Sequence, residues 1–275
     1  MSSVKITVPR TRTRTRTRTR TRTRARVRFG ALVLGVTILL SVVGFEDLHA
    51  GDDLRVVAST SWVGAMVEAA GASDLRVLAP VELRHPAEYD FSPRDIGFAA
   101  EADLLVWGGY ESFMRNLFDA ADIPDDRILQ VRTSNNPPLM AEAVEAIAEH
   151  LGTEDRFENW KRRLNEVSSE LLAAAEDIGT ADIPVAVHQH QRGFAEWLGF
   201  TVVAEFGMDE LTASRLRDIL AQEPQIIIDN WHVPSGEPLR GEGREYASLI
   251  NFPGTHGTAD LLDVLRHNAR ELGLF

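Results

Sequence analysis

Residues 154–178, EDRFENWKRRLNEVSSELLAAAEDI, carry apolar side chains at Phe157, Trp160, Leu164, Val167, Leu171 and Leu172. That spacing is the one-sided stripe of an amphipathic helix. At 1.5 Å per residue the segment is roughly 37 Å long. A helix of that length fits a spine joining two lobes.

The sequence on either side agrees. Upstream, residues 54–59 read as a buried strand, with a helix running from Trp62 to about Ala70. Further strands are expected at 75–78, 104–107 and 128–131. Ser92-Pro93-Arg94-Asp95 opens a helix: Ser92 can cap it, Pro93 suits its first turn, and Asp95 favours its positive end. Helices over 111–120 and 138–151 complete this half. Downstream the pattern restarts. Strands are expected at 184–187, 201–205, 226–228 and 248–251, with helices over 192–198, 211–222 and 257–274. Strands joined by helices imply right-handed crossovers and a parallel sheet. The expected class is therefore α/β: two lobes, each a parallel sheet flanked by helices, joined by a long backbone helix. The expected divisions are 1–50, an N-terminal lobe over 51–152, a linking helix over 153–180, and a C-terminal lobe over 181–275.

The first fifty residues are of another kind. Lys5 and ten arginines, Arg10 to Arg28 at every second position, precede the apolar and uncharged stretch 29–45, and Leu48-His49-Ala50 ends in a small residue. A basic region, an apolar run and a small-residue exit describe a secretory signal. The apolar run falls just short of the roughly 18–20 residues that span a bilayer, and an uncleaved membrane anchor is the alternative. The Thr-Arg repeat reads as a low-complexity extension and not as a nucleic-acid arm.

Of 29 basic and 41 acidic residues, 11 and 2 fall in that segment, leaving 18 and 39 and a formal charge of −21. Such a balance argues against nucleic acid as a partner. There is no cysteine, so thiolate metal sites and cysteine nucleophiles are excluded. Any metal site must be built from histidine and carboxylate.

Ligands of open parallel sheets bind beyond the carboxyl ends of the strands. Glu82-Leu83-Arg84-His85-Pro86 follows the second strand. His188-Gln189-His190 follows the first strand of the second half. Asp229-Asn230-Trp231-His232 follows the run Ile226-Ile227-Ile228. Neutral imidazole is the common nitrogen ligand of zinc, and a carboxylate can complete the set. The candidate metal ligands are thus His85, His188, His190, Asp229 and His232. Each has a plainer alternative: His85 as a turn residue, His190 pointing away from His188, Asp229 as a cap or an arginine partner, His232 as a surface histidine. Glu111 is expected to cap its helix. His256, in a Gly-flanked loop, could act as a lid residue and is not expected to be a ligand, and His150 and His267 read as surface residues on helices.

These residues also carry a resemblance. Val57-Ala58-Ser59-Thr60-Ser61-Trp62 is similar to the opening strand and helix of the cluster A-I solute-binding proteins of zinc and manganese ABC transporters. Pro86-Ala87-Glu88-Tyr89-Asp90-Phe91-Ser92-Pro93-Arg94-Asp95 resembles their Pro-His-x-Tyr-x-x-x-Pro-x-Asp segment. Ala102-Asp103-Leu104-Leu105-Val106-Trp107-Gly108 resembles their Ala-Asp-Leu-Val strand, and Leu265-Arg266-His267-Asn268 their last-helix signature. His188 lies eleven residues before Gly199, as the family's third histidine lies before its Tyr-Gly. The family's first two histidines fall on Ala87 and Pro138, and its final aspartate near Ala259, beside Asp260. The histidine-rich loop of zinc members is missing.

The resemblance implies a divergent member whose ligand set is rebuilt around His85, His188 and His232. It implies a monomeric, non-enzymatic, extracytoplasmic protein that captures a divalent ion in the inter-lobe cleft. The ion would be Zn2+, with Mn2+ or Fe2+ as alternatives, and the partner a membrane ABC permease. Binding should weaken below about pH 6 as imidazoles protonate. Three other readings stay open: the same fold binding a chelate, a metallochaperone, and a metal-dependent hydrolase. The last lacks a His-Glu-x-x-His or Gly-x-Ser-x-Gly motif.

Overall fold

The computed structural model describes residues 54–83, 86–241 and 243–275. The expected signal segment and His85 lie outside these residues. None of the described helices is long and apolar enough to cross a membrane.

The first sheet has the order β2-β1-β3-β4, with β1 at Arg55–Thr60, β2 at Asp74–Ala79, β3 at Leu104–Trp107 and β4 at Ile128–Gln130. The second has the order β6-β5-β7-β8, with β5 at Pro184–His188, β6 at Thr201–Phe206, β7 at Ile226–Asn230 and β8 at Glu245–Leu249. All pairings are parallel. The expected class, two α/β lobes about a long helix, is what the chain adopts.

Side-chain alternation assigns each sheet face to a core. Val56 and Ala58 of β1, Val185 and Val187 of β5, and Ile226 and Ile228 of β7 join one central core. Val57 faces a separate outer core of the first lobe, and Ala186 and Ile227 one of the second. Four helices share the central core: α1 (Ser61–Ala70), α4 (Pro137–Leu151), α5 (Glu154–Ile178) and α8 (Leu261–Glu271). Phe157, Trp160, Leu164, Val167 and Leu171 of α5 are buried there, whereas Leu172 is 42% exposed and lies off the stripe. The remaining helices are α2 (Pro93–Glu101), α3 (Ser112–Ala121), α6 (Arg192–Trp197) and α7 (Ala213–Leu220).

Local signals set the helix ends. Ser92 and Asp95 form a reciprocal capping box with Pro93 in the first turn. Asn136 caps α4 ahead of Pro137. Most boundaries fall within two residues of expectation, and the largest departures are at β8 and α8. β8 starts at Glu245 and ends at Leu249 instead of spanning 248–251, because its mixed edge pattern hides its start. α8 starts at Leu261 instead of residue 257. Asp260 caps it by accepting from the Asp263 N–H, and His256 and Gly257 before it are left-handed.

Candidate metal centre

Strand β5 delivers His188 to the carboxyl edge of the second sheet, and the chain turns at once into α6. His188 is fully buried. Its Nδ1 accepts the backbone N–H of His190 at 3.2 Å, and its Nε2 has no partner. The Phe206 ring meets it edge-on at 5.7 Å. Burial, helped by the neighbouring His190, pushes the His188 pKa down to about 4 against the pull of Asp229 and Glu205. The imidazole is therefore neutral at any ordinary pH, as metal binding requires. His190 is exposed at one side, yet surrounding protein also lowers its pKa. The two rings sit 5.0 Å apart between centroids, at 37°. Two imidazoles on one tetrahedral ion, with bonds near 2.0–2.1 Å, have centroids roughly 5 Å apart.

Strand β7 delivers Asp229, and here the expectation of a ligand is revised. One carboxylate oxygen accepts the N–H groups of Asn230 (2.8 Å) and Ser235 (3.3 Å). The other accepts the Gly236 N–H (2.8 Å) and the Tyr246 hydroxyl (2.5 Å). A carboxylate so engaged folds the following loop back onto the strand and has little left for an ion. Gly236 allows this close approach, since a Cβ there would lie 2.8 Å from the Phe206 ring and 3.0 Å from the Asp229 carboxyl carbon.

His232 is buried, not a surface histidine, and its Nδ1 accepts the Asn251 N–H at 3.3 Å. Its ring lies over Phe252, 4.0 Å between centroids, and Phe252 in turn lies 6.3 Å from Trp62 of the first lobe. A buried amide network joins these elements. Asn251 Oδ1 accepts from Gln191 (2.8 Å) and Asn230 (2.7 Å), while Asn135 Nδ2 and Asn268 Nδ2 both donate to the Ile250 carbonyl, at 3.0 and 2.9 Å. Sequence reading missed Gln191 and Asn135. The only signals were a polar residue just after β5 and the Asn135-Asn136 pair opening α4.

The first lobe is arranged differently. Glu111 holds the N-cap position of α3, but its side chain makes no cap bond. It is buried, accepting the Ser59 hydroxyl at 2.6 Å and the Gly108 N–H at 3.1 Å. Beside it the Tyr110 hydroxyl interacts with Thr60 and Thr133, and the enclosure of that end of the ring pushes its pKa up to about 12. Ala87 sits in a single 3-10 turn, Pro86–Glu88, and Pro138 in the first turn of α4. Neither offers a ligand.

Among the described residues no three histidine or carboxylate groups are placed to hold a metal. What the structure brings together is His188 with His190, and His232 with the amide network. Among the described residues, the buried side-chain polar atoms without partners are Trp62 Nε1, Trp107 Nε1, Asn135 Oδ1, His188 Nε2 and Gln191 Oε1. All five belong to residues at or just after the carboxyl ends of strands β1, β3, β4 and β5. Such atoms are rare in folded proteins and each calls for a partner.

No family sequence model and no curated protein sequence matches the chain. Solved structures do. The laminin-binding protein Lmb of Streptococcus agalactiae, a bifunctional adhesin and metal transporter, is similar at TM-score 0.62 and 17% identity, over 80% of this chain and 98% of that one. The periplasmic zinc-binding protein TroA of Treponema pallidum is similar at TM-score 0.58 and 16% identity, over 80% and 98%. The solute-binding protein FpvC of P. aeruginosa, solved with Ni2+, is similar at TM-score 0.64 and 18% identity, over 80% and 94%. The fold of this chain is that of the cluster A-I metal-binding solute-binding proteins, at low sequence identity.

Proposed function

We propose that this chain is an extracytoplasmic solute-binding protein that captures a divalent transition metal, zinc foremost, between its lobes and delivers it to an ABC permease. No bond of a substrate is made or broken in this role, and the chain is no enzyme. The observation that carries the reading is the buried, partnerless Nε2 of His188 beside the His190 ring. His188 and His190, the pair the fold already brings together, supply two ligands from the second lobe. His232 of the same lobe and His85 of the first complete the set only as the ion binds, since no three described groups stand ready to hold it. Asp229 serves by fixing the loop that presents His232.

Capture at His188 Nε2 requires its lone pair there, so the ring proton must move to Nδ1 and the contact with the His190 N–H must open. A bond of 3.2 Å is long for N–H···N geometry and its loss costs about 1 kcal/mol. A zinc site of several imidazoles returns of the order of 10 kcal/mol, so the exchange favours the ion. A nitrogen-rich set suits zinc, and a set richer in carboxylate would shift preference toward Mn2+ or Fe2+.

The test is titration of the metal-stripped chain with Zn2+ and Mn2+ by calorimetry. Tight one-to-one Zn2+ binding in the cleft, lost in His188→Ala with the fold intact, is the expected result. One observation favours a second reading, a chelated ligand. The buried Trp62 indole N–H is an unpartnered donor, which an ion cannot satisfy and an acceptor on a chelate can. Under that reading neither bare ion binds the intact protein.

A further inference from the structure

A second pair of imidazoles lies outside the cleft set. His256 is on the loop between β8 and α8, and His267 is on α8. Their ring centroids are 4.9 Å apart and their planes are within 25° of parallel. From sequence His256 is not expected to be a ligand and His267 is expected to be a surface residue, so the pairing is a product of the fold.

The loop presents His256 in a fixed way. Gly254 N–H donates to Thr258 O at 3.0 Å, and the Thr258 N–H and hydroxyl both donate to Thr255 O, at 2.9 and 2.6 Å. His256 itself is left-handed, φ 51°, and Gly257 follows at φ 75°. Two such residues in succession reverse the chain, and the imidazole lies against α8. His256 is exposed and His267 half-buried, so an ion can reach both.

We propose that His256 and His267 form a second, weaker binding site for a divalent transition metal, with water completing its coordination. The 4.9 Å separation matches the roughly 5 Å expected for two imidazoles on one tetrahedral ion. The exposed His256 ring can turn about its soft terminal torsion to present either nitrogen. His267 is also disposed to stay neutral: burial lowers its pKa, His256 and Arg270 act the same way, and only Glu271 opposes them. Glu271, one helical turn beyond His267, adds negative charge near the ion. A single indole, Trp231, separates this pair from the cleft histidine. Its centroid is 5.4 Å from His256 and 4.9 Å from His232.

The test is calorimetric titration of the metal-stripped full chain with Zn2+, repeated on His256→Asn, His267→Gln and His188→Ala. Asparagine tolerates the left-handed backbone at position 256, and circular dichroism confirms the fold of each variant. The expected result is two binding events, the second about 100-fold weaker because only two protein ligands hold the ion. His256→Asn and His267→Gln each abolish the weaker event and leave the tighter one unchanged. His188→Ala does the reverse. A single event in the native chain that His188→Ala removes overturns the second site and leaves the cleft intact. A single weak event that His256→Asn removes supports the second site and sinks the cleft reading instead. A weak event that survives both His256→Asn and His267→Gln also overturns it.

Discussion

The two lobes have one topology and two kinds of strand tip. In β2-β1-β3-β4 the buried acid at the tips, Glu111, is bonded to Ser59 and Gly108. In β6-β5-β7-β8 the buried acid, Asp229, is likewise fully engaged by its loop, but the buried imidazole beside it is not. The first lobe has Ala87 and Pro138 where the resembled family has histidine. The second keeps His188 in place and adds His190 and His232. A parallel α/β lobe thus fixes where side chains arrive, and residue type decides what is offered there: the first lobe's unpartnered buried atoms belong to indoles and an amide, whereas the second lobe's include an imidazole nitrogen. On the proposed function, the second lobe carries most of the ion's ligands.

The largest effect that would sharpen this contrast is on His188. His188→Ala should weaken Zn2+ binding at least about 100-fold with the circular dichroism spectrum unchanged, measured by competition with a zinc chelator. For the fully bonded Glu111 of the first lobe the opposite pattern is expected. Glu111→Ala leaves the Ser59 hydroxyl and Gly108 N–H buried without an acceptor. It should lower stability by about 2–3 kcal/mol, and the melting temperature by about 4–10 °C, while Zn2+ affinity changes less than about threefold. A large loss of affinity in Glu111→Ala would erase the contrast. Asp229→Asn turns an amide NH2 toward backbone donors and should destabilise by about 2–4 kcal/mol in chemical denaturation. If instead the fold is untouched and zinc is lost, Asp229 is a ligand after all.

Acid gives a finer test. The folded His188 pKa is held down at about 4, below the ordinary value near 6.5. Between those values the unfolded chain binds the proton and the folded chain does not, so stability rises with pH across that window and falls on acidification through it. The contribution is of the order of 3 kcal/mol. Denaturation midpoints between pH 4 and 7 should show the slope, and His188→Gln should flatten it. Proton competition at His188 itself then sets in nearer pH 4 than pH 6.

The lobes also divide what sequence can and cannot disclose. Buried strands such as Ile226–Ile228, and the Ser92-Pro93-Arg94-Asp95 start, act through neighbours along the chain, so their structure could be read in order. The position of His188 was legible because it closes a strand, and the structure places it buried at the end of β5. Asp229 was not, because its role depends on Ser235 and Gly236 returning to it and on Tyr246 from the adjacent strand. Glu111 was misjudged for the same reason: Ser59 is 52 residues away in the chain. The pairing of His256 with His267 likewise needs a reversed loop whose left-handed residue is not a glycine.

The most direct test of the central claim is a crystal structure of the zinc-soaked chain, with the ion located by anomalous diffraction at the zinc edge. The expected result is zinc at the tips of β5 and β7, with His188 Nε2 about 2.0–2.1 Å from it. Zinc found elsewhere, with the His188 imidazole still holding the His190 N–H, would contradict it.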